Sequence, residues 1–138
     1  MAFWRKKKEK PKSTLGYALF RFDKIFNGNP RGLFLSIKQG KKINLKRLEN
    51  IIISNCSEFD KIADDISVEN FKTDYRSDKI RYSIIDMIDE TKNYLLYLKN
   101  NKDNSYSQDN SHAKTFDKIV EIRENIKKRM KDIEGDYV

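Results

Sequence analysis

Residues 77–99 read SDKIRYSIIDMIDETKNYLLYLK. Ile80, Ile84, Met87, Ile88, Thr91, Leu95 and Leu98 recur in steps of three and four along it, and neither Gly nor Pro interrupts them. That rhythm places them on one face of an α-helix from about Ser77 to Lys99. Tyr94 and Tyr97 widen the face near its C-terminal end. At ~1.5 Å per residue the helix is roughly 35 Å long. A stripe of that width needs other helices to cover it.

Those helices are found on either side. Upstream, Asn44 is a suitable N-cap for a helix that runs to about Ile66. Leu45, Leu48, Ile52, Cys56, Phe59, Ile62, Ala63 and Ile66 keep the same rhythm, which makes Cys56 a small core residue. Downstream, a helix from about Ala113 to Glu134 turns Phe116, Ile119, Val120, Ile126, Met130 and Ile133 inward, and Gly135 is expected to end it. Between the last two helices, residues 100–112 are Asn-, Ser- and Asp-rich, which is the composition of a mobile loop. Residues 67–76 form a polar connection.

The N-terminal part adds a helical pair. Leu15, Leu19, Phe22 and Phe26 predict a first helix over 13–27, and Phe20 and Ile25 broaden its apolar face. Asn29 then reads as an N-cap and Pro30 as a first helical residue, with Gly40 in the left-handed position after the helix. Residues 30–39 are read as a short helix, with a strand at 33–37 as the alternative. The fold class is therefore all-α: a small antiparallel bundle of three long helices plus an N-terminal helical pair. It divides into a basic arm at 1–12 and one helical-bundle domain at 13–138.

The tetrapeptide Phe-Asp-Lys-Ile occurs at 22–25, 59–62 and 116–119, with Ser-Asp-Lys-Ile at 77–80. The intervals follow no constant period, so a repeat protein is disfavoured. The physical reading is that Phe and Ile face the core while Asp and Lys face water.

Several chemistries are excluded or left without support. One His and one Cys cannot build a Cys/His zinc site or an intramolecular disulfide. His112 lies in the polar loop and is expected to be solvated. Asp86, Asp89 and Glu90 cluster on the helix that opened this reading, without the Glu-x-x-His companion of di-iron bundles, and read as a solvated acidic face. Gly28, Gly32 and Gly40 match no phosphate-binding loop. The expectation is a protein that is not an enzyme and needs no cofactor or metal. No stretch approaches the ~18–20 apolar residues of a membrane span. The basic residues 1–12 lack the apolar run of a signal peptide behind them. The lone Cys favours a reducing compartment, hence a cytoplasmic location or a virion assembled there.

Charge is the feature with functional content. Of 138 residues, 29 are Lys or Arg and 21 Asp or Glu, a net of +8. There are 21 Lys, 16 Ile and 12 Asn, whose codons are AT-rich, so the Lys count alone says little. Its distribution says more. Residues 1–47 hold 14 basic and two acidic residues, a net of +12, while 48–112 carry −5 and 113–138 carry +1. A coding bias acts on the whole chain and does not produce this asymmetry. The candidate contact residues are thus Phe3, Trp4, Arg5, Lys6, Lys7, Lys8, Lys10 and Lys12 in the arm, with Lys38, Lys41, Lys42, Lys46 and Arg47. Two aromatic anchors followed by cations suit docking on a protein partner. This leads to the expectation of a structural component of a large complex, such as a bacteriophage particle, with homo-oligomerisation left open. The alternative is an accessory protein making sequence-nonspecific contacts to nucleic-acid phosphates. A helix-turn-helix over 19–38 is disfavoured, because Lys24 stands where the first helix of that motif carries a small buried residue. A third reading makes Asp60, Asp64 and Asp65 a nucleic-acid mimic.

Overall fold

The computed structural model describes residues 14–69, 75–101 and 111–137. They form α1 (Thr14–Phe26), α2 (Asn29–Lys38), α3 (Leu45–Asp65), α4 (Tyr75–Asn100) and α5 (Ser111–Tyr137). No strand occurs among the described residues, so 33–37 is helical. Ion pairs fix the directions. Asp60 and Glu49 of α3 meet Lys92 and Lys99 of α4, so these two helices run antiparallel. Glu90 of α4 meets Lys118 of α5, while Tyr94 packs on Phe116, which makes that pair antiparallel too. Helix α1 lies against α3 and α4, and α2 follows it as a short cap. The molecule is an all-α helical bundle.

The α4 stripe is buried as its spacing requires. Ile80, Ile84, Met87, Ile88, Thr91, Leu95 and Leu98 are all in the core, with Tyr94 beside them. Arg81 is buried as well, although its charge gave no hint of that. Its Nη1 lies 3.4 Å from Asp78. Of the three Phe-Asp-Lys-Ile copies, Phe22, Phe59, Ile62, Phe116 and Ile119 are buried as expected, while Ile25 is only half-buried. Phe22 and Phe59 pack with centroids 5.5 Å apart, and Phe26 bridges from Phe22 to Phe116. Their polar members stitch helices together: Asp23 pairs with Arg123, Asp60 with Lys92, and Lys118 with Glu90.

Several expectations are corrected. The seam of α3 runs through Leu48, Ile51, Asn55, Phe59, Ile62 and Ile66, while Ile52 and Cys56 are only half-buried. Both tracks satisfy the three/four rhythm, and packing on α1 and α4 selects between them. Helix α2 starts at Asn29 with Gly28 at the cap position and no side-chain cap. The Asn27 carboxamide oxygen accepts from Arg31 Nε at 3.0 Å instead. Helix α5 starts at Ser111, which carries His112 into its first turn. There the imidazole is 7% exposed, not solvated, and tilts against the Phe34 ring at 5.8 Å. The helix continues through Gly135 to Tyr137. A glycine stops a helix by taking a positive φ, as Gly40 does at 77°.

Candidate anion-binding interface

Lys38, Lys41, Lys42, Lys46 and Arg47 come from the last residue of α2, the linker and the first turn of α3. The local backbone is tightly specified. Gly40 N–H donates to the Ile37 carbonyl and Lys41 N–H to the Ser36 carbonyl, both at 2.9 Å. This pair of bonds closes the end of α2 and needs the left-handed glycine between them. Asn44 then caps α3, its side-chain oxygen accepting from Arg47 N–H at 2.9 Å. The cations are carried on a short, capped turn.

All five side chains are exposed. None makes an ion pair among the described residues, and Lys38 only stands over the Phe34 ring at 5.8 Å. No acidic residue lies between Asp23 and Glu49. Lys46 and Arg47 occupy the first turn of α3, which holds no acid. Cations there oppose the helix macrodipole, each at a cost of about 0.3–1 kcal/mol. They contribute nothing to the stability of α3 that would explain their presence.

The acidic side chains behave differently. Asp65 accepts from Arg21 at 2.6 Å and Asp60 from Lys92 at 2.7 Å. Asp23 takes Arg123 in a two-pronged pair. Two of the three carboxylates read as a nucleic-acid mimic are therefore already engaged by cations. Of the acidic cluster on α4, Glu90 is tied to Lys118 at 3.0 Å. Among the described residues no group of three or more His, Cys, Asp or Glu is placed to hold a metal ion. Burial pushes the Cys56 thiol up, the nearby Lys92 ammonium only partly opposing it. That keeps Cys56 protonated and a poor nucleophile at neutral pH.

Phe3, Trp4, Arg5, Lys6, Lys7, Lys8, Lys10 and Lys12 lie outside the described residues. Their point of attachment is nevertheless located. Arg21, in the middle of α1, pairs with Asp65 at the last residue of α3. The linker cations precede the first residue of α3. A helix of that length separates its ends by about 30 Å. The chain therefore enters α1 at the opposite end of the bundle from Lys41 and Lys42.

One feature was missed by the sequence reading. Phe20, expected to broaden the apolar face of α1, is 57% exposed, and Tyr17 beside it is 43% exposed. Their positions fall off the Leu15, Leu19, Phe22 and Phe26 stripe, which is the signal that would have placed them outside. No helix among the described residues is long and apolar enough to cross a membrane. Comparison of the chain with protein-family models, with curated proteins and with solved structures returns no match.

Proposed function

We propose that this chain is a non-enzymatic interaction protein that attaches to a larger assembly through its cationic N-terminal third. The partner is a protein that presents an anionic surface. The observation that carries this reading is the segregation of charge: a net of +12 in residues 1–47 on a body of −5 and +1. The five cations at the α2–α3 turn support it: none makes an ion pair among the described residues, and Lys46 and Arg47 stand in the first turn of α3 against its dipole. The chemistry-bearing side chains support a non-enzymatic role. His112 is packed against an aromatic ring, Cys56 is held as the thiol, and Asp23, Asp60, Asp65 and Glu90 are engaged in ion pairs. The alternative, phosphate contacts along nucleic acid, uses the same cations.

Full-length protein carrying Lys6→Glu, Lys7→Glu and Lys8→Glu tests the reading, with Lys41→Glu, Lys42→Glu and Lys46→Glu as a second set. Poly-glutamate and random duplex DNA serve as probes across a salt titration. The expected result is binding to poly-glutamate that weakens with salt and falls at least tenfold in the arm variant. Absence of binding to either probe at low salt overturns the proposal. Binding to duplex alone, with a steep salt slope, moves the assignment to nucleic acid.

A further inference from the structure

An open groove of about 800 Å³ runs along the start of α3 beside the end of α4. Leu45, Ile52 and Ile53 supply its apolar lining, and Lys46, Glu49 and Lys99 its charged lining. Ile53 is 70% exposed, and Leu96 of α4 is 43% exposed. The ion pairs Glu49–Lys99 and Asp60–Lys92 set the register of the two helices. Ile53 follows Glu49 by one turn, and Leu96 stands one turn from both Lys92 and Lys99. The two exposed aliphatic side chains therefore lie on the facing edges of the α3–α4 seam, between its two ion pairs. The charge beside them is mainly positive. Lys46 makes no ion pair among the described residues. Lys99 stands 3.7 Å from Glu49 in an exposed pair, which contributes little to stability and leaves the ammonium further donors.

We propose that this groove takes an acidic segment of the partner protein that carries an apolar anchor. The anchor side chain is seated on Ile52 and Ile53, and carboxylates flanking it meet Lys46 and Lys99. Charge complementarity selects this occupant. A carboxylate at Lys46 also meets the positive end of the α3 dipole, which offsets the cost that Lys46 itself incurs there. Aliphatic side chains give a nucleic-acid base no plane to stack on, and Glu49 in the lining repels a phosphate chain. A purely acidic segment uses the cations and leaves the isoleucines bare. The inference rests on the anionic protein partner proposed above and adds an apolar side chain to what is recognised. The groove lies at the end of the bundle opposite the start of α1, so it is a contact separate from the arm.

The test uses the full chain and three fluorescently labelled probes of equal length. One is a glutamate peptide carrying two leucines four residues apart, one has alanine in place of each leucine, and one is poly-glutamate. The leucine peptide is expected to bind roughly tenfold more tightly than the alanine peptide. Ile53→Gln should abolish that preference without moving the melting midpoint, because the side chain is exposed. Ile53→Leu should retain it. Lys46→Gln should weaken the leucine and alanine peptides alike. Equal affinity for the two peptides overturns the inference, as does a preference that survives Ile53→Gln. In both cases retained binding of poly-glutamate leaves the attachment reading standing. If Ile53→Gln instead abolishes self-association of the chain, the groove takes a second copy and the inference is overturned. If no probe binds at low salt, both readings fail.

Discussion

Phe116 joins three other rings into one cluster. It stacks on Phe34 at 4.0 Å and Phe26 at 5.1 Å, and Tyr94 tilts against it at 5.7 Å. The Arg31 guanidinium stands 5.5 Å from its centroid. Aromatic pairs of this kind contribute about 0.5–1.5 kcal/mol each beyond the area they bury. Phe116→Ala is therefore expected to lower the unfolding free energy by about 3–5 kcal/mol in a urea titration. Asn44 works locally instead. Asn44→Ala removes the cap of α3 and should cost about 1 kcal/mol in the same titration, while Asn44→Asp should retain stability. These two residues differ in how far the sequence reveals them. The cap acts on a residue three positions on, so its role is legible. The partners of Phe116 come from α1, α2 and α4, and nothing local names them. His112 was misread for the same reason: its burial depends on where α2 lies.

At the scale of elements, α3 shows what periodicity leaves undecided. Ile51, Ile52 and Ile53 are consecutive, so the apolar stripe can be drawn through more than one of them. The fold buries Ile51, half-buries Ile52 and leaves Ile53 exposed. That rotation also buries Asn55, whose side-chain oxygen has no hydrogen-bond partner among the described residues, and turns Cys56 toward the edge. The α3–α4 seam then acquires a pH dependence. The hydrogen bond to Asp60 raises the Lys92 ammonium above its ordinary 10.5, and burial raises the Cys56 thiol above 9.0. Both raised values favour the protonated form in the folded chain. The stabilisation is thus complete below the ordinary values and is lost as pH rises through the raised ones. Melting midpoints should fall from about pH 9 upward. Asp60→Asn should lower the midpoint at neutral pH and flatten the alkaline decline. An alkaline decline unchanged in Asp60→Asn would show that the Lys92 contribution is absent.

For the whole molecule, the buried residues described in α1 begin at Leu15. Because the described core is complete without them, removing residues 1–12 is expected to leave the melting midpoint within about 2 °C of the full chain. Circular dichroism melts check this. Polyanion binding should fall in the same variant, which separates the body as scaffold from the N-terminal third as contact. The sequence by itself determined the first helix and the three long ones to within a few residues, where α3 is capped, where Gly40 turns the chain, and that positive charge collects in residues 1–47, while it left 33–37 open between helix and strand. Each of these depends on residues within a few positions of one another, or on a count along the chain. Only the tertiary structure decided which isoleucine of α3 faces inward, that His112 and Arg81 are buried, that Phe20 is exposed, and that the linker cations and the start of α1 lie at opposite ends. Those outcomes depend on the rotation of each helix about its own axis and on its direction beside its neighbours. Periodicity leaves both free, and burial of the shared aromatic core settles them.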